Sequence, residues 1–352
     1  MADTRFADMR QDALAACAGQ PEIRSALARQ HIAVTGGTGF LGTWIAELVA
    51  ALNDHYQLGI SLDLYARHIS EWQQKYPHLA NRPDIRVRSQ DVRSSFEFAK
   101  GTTHVIHAAG IPNNRVHASD PLRVFQTTVS GIANALEAAS QLDGLRRFVN
   151  VSSCLVAGAP QRPGALTEND YFPLPAGLLH TVYADAKRAA EMTAAIYRSQ
   201  YRLPVSTVRP FTLTGAYQEL DRPWAVNNFL RDVLTGSEIR IHGDGSARRS
   251  YLYGSDAAWW TLAALVKGVD GEVYNLGSAT PVSHTELVRI IGEQVATKPR
   301  VALNTAPHRQ QKDDDLYPDI SFTLRRLGVQ ETCPLEQTIA KAYRWFATPH
   351  QN

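Results

Sequence analysis

The chain has 352 residues, 44% of them hydrophobic and 20% charged, the balance of an ordinary globular protein with room for one large α/β unit and a smaller lobe. A formal net charge of +2 provides no field for nucleic acid, so a phosphorylated ligand has to be held by local groups. Cys17, Cys154 and Cys333 are scattered without metal spacing and suit a reducing compartment. No stretch approaches the ~20 apolar residues of a membrane span, and acids at Asp3 and Asp8 argue against a secretory leader, so a cytoplasmic protein is expected.

Residues 5–29 read as an amphipathic helical extension whose Phe6, Met9, Leu14, Ile23 and Leu27 pack on the body of the fold. From residue 31, strands at 31–35, 61–66, 85–87, 103–108, 147–151 and 205–208 alternate with helices at 40–52, 122–140 and 182–200. Strands separated by helices predict an α/β architecture, a doubly wound parallel sheet with right-handed crossovers over residues 31–210. After Pro210 the rhythm changes. Strand-like 238–242 and 272–275 interleave with helical 225–234, 256–267 and 284–295, and a last helix is expected at 334–346. Residues 211–352 are read mainly as a smaller α/β substrate lobe over the sheet's carboxyl edge, with segments free to return to the sheet.

Between the first strand and first helix, Gly36, Gly39 and Gly42 stand in G-x-x-G-x-x-G spacing. Gly36 would allow a tight turn, Gly39 a close approach of backbone to pyrophosphate, and Gly42 close packing of helix on strand. The helix N-terminus adds free N–H groups and a partial positive charge. The loop therefore predicts a Rossmann-type dinucleotide site. At the end of the second strand, where an acid would take the adenine ribose 2′-hydroxyl, Arg67 stands instead, and Asp63 lies too early in the strand. A guanidinium suits a 2′-phosphate, so NADP is favoured over NAD; stacking on the adenine or facing water are the other roles open to Arg67. Asp91, with Val92, is placed to meet an adenine amino group or to sit in a surface turn. Ala108, Ala109 and Gly110 are small residues where a ring must pass the backbone. No metal is implied, because His104 and His107 lie on opposite faces of a strand.

Tyr183 and Lys187 are four residues apart at the start of a helix, hence on one face. A phenol of pKa ~10 is a poor acid–base group at neutral pH, and a neighbouring ammonium is expected to lower that value. Tyr183 would then exchange a proton with a carbonyl or alcohol oxygen as hydride moves. Lys187 would also reach the nicotinamide ribose. Ser153 follows the 147–151 strand at the carboxyl edge, where it would hydrogen-bond the reacting oxygen or cap a turn.

With these residues the sequence resembles the extended short-chain dehydrogenase/reductase family, in its nucleotide-sugar epimerase/dehydratase/reductase branch. The resemblance runs over about residues 30–346 and continues through Arg209-Pro210-Phe211, Gly243 to Tyr251, and Tyr274-Asn275-Leu276-Gly277. It implies catalysis by Ser153, Tyr183 and Lys187, and a cofactor bordered also by Thr38, Phe40, Leu41, Thr128, Val151 and Pro210. It implies a nucleotide-sugar diphosphate held by Arg249, with Asn228 adding a polar contact and Cys154 beside Ser153. A homodimer through helices 122–140 and 182–200 is likewise implied.

The departures narrow the chemistry. Family dehydratases carry Asp-Glu after the catalytic hydroxyl residue, and decarboxylases a Glu in that neighbourhood. Enzymes that epimerise C3/C5 use a Cys one position beyond that of Cys154. Here Cys154 and Leu155 follow Ser153, and Thr128, Thr212, Ala216 and Ala157 replace usual family residues. What remains needs only Ser153, Tyr183, Lys187 and hydride. The sequence therefore predicts NADPH-dependent reduction of a nucleotide-linked 4-keto-6-deoxy sugar at C4. An NAD-dependent 4-epimerase is the first alternative and a 4,6-dehydratase the second. The intact Ser153, Tyr183 and Lys187 set argues against a non-catalytic dinucleotide-binding protein.

Overall fold

A computed structural model describes residues 4–295, 298–304 and 315–348. The N-terminal extension is two helices, α1 (Thr4–Cys17) and α2 (Pro21–Leu27). They separate at Pro21, which lacks the N–H to continue a helix and sits instead in the first turn of α2. Met9, Ile23 and Leu27 are buried against the body, with Phe6 and Leu14 half-buried beside them. Polar ties fix the register: Asp12 accepts from the Tyr253 hydroxyl at 2.8 Å, and Gln20 Oε1 accepts from the Trp259 indole at 2.8 Å.

The body is a seven-stranded sheet containing β1 (His31–Thr35), β2 (Ser61–Ala66), β3 (Ile85–Ser89), β4 (His104–His107), β5 (Arg147–Val151) and β6 (Val205–Pro210). A seventh strand, Val273–Leu276, lies beyond β6. The order is Val273–Leu276, β6, β5, β4, β1, β2, β3, and every pairing is parallel. The central strands are covered on both faces, which is why they read as near-continuous apolar runs. Side chains alternate: Val105, Phe148 and Val205 face the helices Pro121–Ser140 and Val182–Tyr201. Ile32, Ile106, Val149 and Val208 face α3 (Phe40–Tyr56) and the helix Gly254–Lys267.

α3 runs past the expected residue 52 and stops where Gln57 turns left-handed, at φ 54°. The chain after Pro210 supplies the seventh sheet strand and the helix Gly254–Lys267. It also builds a separate apolar cluster from the helices Ala225–Leu234, His284–Gly292 and Leu335–Ala347. The helix expected to reach residue 295 ends at Gly292, the poorest helix former in that segment. A short helix, Asn114–Ser119, was not foreseen; Asn113 caps it by accepting from the Arg115 N–H at 3.0 Å. No helix among the described residues is long and apolar enough to cross a membrane.

Candidate active site

The glycine loop leaves β1 and enters α3 at the carboxyl edge of the sheet. Gly36 adopts φ 69°, and a Cβ there would lie 2.8 Å from the Ala108 carbonyl and Ala109 Cα, so glycine is required twice over. A Cβ on Gly39 would meet only Gly36 O, at 3.2 Å, leaving open space above the exposed residue. Gly42 does not pack helix on strand as expected: a Cβ there would meet Gly37 O at 2.3 Å, so it lets α3 cross its own loop. Gly37, passed over in the sequence, faces Leu64 of β2 at 2.6 Å from its virtual Cβ. No side chain caps the start of α3, so the first-turn N–H groups of Phe40 and Leu41 are left for a ligand, with Thr38 half-buried beside them.

Asp63 is fully buried, with its carboxylate 2.6 Å from His31 Nε2 and 2.9 Å from Arg88 Nε. These partners hold its pKa below the ordinary value against the cost of burial. Its carboxylate is thus engaged by side chains of the two neighbouring strands, β1 and β3. Arg67 is half-buried there. Burial pushes its pKa down, and the positive charges of Arg123 and Arg93 add to that, while Asp91 opposes them. Arg93 grips the Asp91 carboxylate, Nη2 to Oδ2 at 2.6 Å, and holds its pKa at about 2. Val92 is buried and its carbonyl accepts from Asn134 at 2.8 Å. Arg123 Nε is buried without a hydrogen-bond partner.

Ser153, Tyr183 and Lys187 come together where β5 ends. Tyr183 is 8% exposed and Lys187 3%. Ser153 Oγ accepts from the Leu155 N–H at 3.2 Å, capping the turn Cys154–Ala157, and the hydroxyl lies close enough to the phenol to favour its ionised form. Of the two roles read for this serine, the turn cap is present. The expected lowering of the phenol by Lys187 is not what the geometry produces. Lys187 Nζ donates to Val151 O at 2.7 Å and lies 5.8 Å from the Tyr183 ring centroid. Burial pushes the phenol above its ordinary value, the neighbouring Cys154 adds to this, and Ser153 opposes it. Burial also pushes Lys187 down to about 8. Gly110 borders the ammonium, a Cβ there lying 3.7 Å from Nζ.

Val151 is buried at the end of β5, Ala108 and Ala109 follow β4, and Pro210 closes β6 half-buried. Thr128 is fully enclosed, and its hydroxyl donates to Val124 O at 2.9 Å, a bond within its own helix; it shows no free donor towards a cofactor. Asn228 Oδ1 accepts from Arg231 at 2.9 Å, while the neighbouring Asn227 Oδ1 is buried without a partner. Arg249 is half-buried on the short strand Arg248–Arg249, near enough to Cys154 to act on its charge. Burial nevertheless pushes the Cys154 thiol up to about 12. His117 carried no meaning in the sequence, yet its ring stacks on Tyr183.

A parallel sheet with a phosphate-ready glycine loop after its first strand, and a buried phenol, ammonium and hydroxyl at its carboxyl edge, defines an extended short-chain dehydrogenase/reductase. The NAD dependent epimerase/dehydratase family model matches residues 32–277, and the chain belongs to that family. It is 25% identical over 324 residues to a UDP-N-acetyl-alpha-D-glucosaminuronate decarboxylase of Bacillus cytotoxicus, covering 90% of this chain and 98% of the relative. It is 28% identical over 338 residues to UDP-glucuronate 4-epimerase 4 of Arabidopsis thaliana, covering 90% and 75%. Among solved structures, the UDP-glucuronic acid 4-epimerase of Bacillus cereus, in complex with UDP-glucuronic acid and NAD, superposes with a TM-score of 0.76. That match has 21% identity and covers 90% of this chain and 98% of the other. The dTDP-glucose 4,6-dehydratase of Streptomyces venezuelae also gives 0.76, at 22% identity and coverage of 90% and 97%. These likenesses show the fold.

Proposed function

We propose that the chain reduces the C4 ketone of a nucleotide-linked 4-keto-6-deoxy sugar at the expense of NADPH. The observation that carries the cofactor choice is the arginine cluster. Arg93 and Arg123 both act on Arg67, beside two carboxylates, Asp91 and Asp120, and the Arg123 Nε lacks a partner. A phosphate dianion at the end of β2 answers that excess of positive charge. The open space over Gly39 and the uncapped start of α3 suit the pyrophosphate. A bound nicotinamide dinucleotide supplies the hydride.

The chain's own groups then handle the proton. Because burial keeps the Tyr183 phenol protonated, it is a donor, which is what the alkoxide formed at C4 requires; oxidising an alcohol would need the phenolate. Ser153 positions the oxygen. Lys187, charged below about pH 8, supports the site through Val151 and its charge. Elimination, decarboxylation and epimerisation at a carbon acid lose the acid–base group expected after Ser153, since Leu155 carries none and burial raises the Cys154 thiol. Arg249 takes the substrate diphosphate, with Asn228 or its neighbour Asn227 nearby. Residues 31–210 form the cofactor unit, while those after 210 divide between the substrate lobe and the sheet. Two chains pair through exposed Leu122, Phe125, Met192 and Ile196 on the adjacent helices Pro121–Ser140 and Val182–Tyr201. A cytoplasmic site suits the three free cysteines.

A second reading, a 4-epimerase retaining NAD, draws on the plant UDP-glucuronate 4-epimerase and the NAD-bound fold of the bacterial one. Denaturing purified protein and identifying what it releases separates the two, together with NADPH oxidation against a panel of UDP-, dTDP-, GDP- and CDP-linked 4-keto-6-deoxyhexoses. Stoichiometric NADPH loss supports the reductase. Retained NAD⁺ with interconversion of 4-epimers replaces it.

A further inference from the structure

We propose that His117 is a positioning residue for Tyr183, setting the ring plane and with it the direction in which the phenol points its proton. The two rings are stacked with centroids 4.7 Å apart and planes 14° from parallel. They come from different elements: His117 from the short helix Asn114–Ser119 after β4, Tyr183 from the first turn of Val182–Tyr201. The proposal rests on the reading that Tyr183 exchanges a proton with the substrate oxygen.

A tyrosine on a helix has a well-defined first torsion, but its second is broad and roughly two-fold. The phenol oxygen lies on the axis of that rotation and does not move with it. The O–H bond does, because conjugation keeps it near the ring plane. Fixing the plane therefore decides whether the proton lies towards Ser153 and the reacting oxygen or out of line with both. His117 is equipped for this. It is 8% exposed, and its Nε2 lies 2.7 Å from Ile111 O. A carbonyl only accepts, so Nε2 carries the proton, which fixes both tautomer and ring orientation. Its helix is anchored by the Asn113 cap and by Arg115, whose guanidinium donates to Asp221 O at 3.1 Å.

The imidazole is a platform and not a proton carrier. Burial pushes its pKa down, and the bond to the Ile111 carbonyl only partly opposes that. The titratable or charged groups on the surrounding elements include Arg115 on its own helix, His180 before Tyr183, Asp185, Lys187, Arg188 and Glu191 beyond it, Asp120, Arg123 and Glu137 at or on the next helix, and Cys154 after β5. The stack needs a flat ring and no charge.

The test compares wild type with His117→Ala, His117→Leu, His117→Phe and Tyr183→Phe, measuring kcat, KM and pH profiles of NADPH oxidation with whichever 4-keto-6-deoxy sugar nucleotide wild type accepts. Removing the ring, by Ala or by the similarly bulky Leu, is expected to lower kcat by roughly tenfold to a hundredfold with KM nearly unchanged. Phe is expected to restore kcat to within about threefold, because aromatic stacking survives, with the wild-type pH profile. If Tyr183→Phe keeps full activity, the reading of Tyr183 fails. If Tyr183→Phe is inactive while Leu at 117 matches wild type, or Phe is as slow as Leu and loses the acid limb of the profile, the positioning role alone is overturned.

Discussion

Arg67→Ala is expected to separate the two dinucleotides. The guanidinium stands where the second strand ends, half-buried, with Arg123 and Arg93 acting on it against Asp91. A hydrogen bond to a charged group contributes about 1.5–3 kcal/mol, so losing this one from a 2′-phosphate should weaken NADPH binding by roughly tenfold to 150-fold. NADH, which offers a hydroxyl there, should change by less than about threefold. Without cofactor the substitution removes repulsion from its neighbours, so unfolding free energy should stay within about 0.5 kcal/mol of wild type. Raising salt should weaken NADPH binding more steeply in wild type than in the variant, because the lost contact is screened. Calorimetric titration of both dinucleotides at two salt concentrations, with Arg123→Ala in parallel, reads all of this. Equal losses for NADPH and NADH would mean that Arg67 merely stacks on the adenine, and tighter NADH binding by wild type would refute the charge argument.

Lys187 gives a pH signature. Its folded-state pKa, pushed by burial to about 8 from an ordinary 10.5, means the unfolded chain binds a proton that the folded chain lacks between those values. This residue's contribution should therefore make urea stability rise with pH through that window, by up to about 3 kcal/mol, and Lys187→Met should flatten the rise; a slope unchanged in the variant would contradict the assignment. Turnover should fall above about pH 8 as the ammonium is lost. Gly36→Ala forces a left-handed backbone and a Cβ 2.8 Å from Ala108 and Ala109, so dinucleotide binding should be lost and stability lowered by about 1–3 kcal/mol or more, read by thermal melting with and without NADPH. Met192→Lys puts a charge into an apolar face where Met192 is 64% exposed, and light scattering should then show a monomer in place of the proposed dimer; a wild-type monomer, or a dimer unchanged by the substitution, refutes that interface.

The parts of this protein legible in the sequence are those whose physics is local. The turn at Gly36 and the strand-to-helix junction follow from neighbouring residues, and the i,i+4 spacing of Tyr183 and Lys187 is written in the chain. What stayed hidden depends on chain segments meeting. The ammonium of Lys187 is spent on Val151 O, a backbone atom that no motif names. His117 is an unremarkable residue in a polar stretch until the helix Asn114–Ser119 lays it on Tyr183. Arg93 and Arg123 gain meaning only beside Arg67, and Gly37 only against Leu64 of the next strand. The bond that Arg231 gives to Asn228 Oδ1, three residues back along the same helix, likewise shows only once the helix is built.

The most direct test of hydride delivery to C4 uses NADPH deuterated at the nicotinamide C4, with product sugars read by mass spectrometry and NMR. Reduction places one deuterium at sugar C4 for each NADPH consumed, and Tyr183→Phe places almost none. Products that keep their own C4 hydrogen while epimers interconvert would contradict the account.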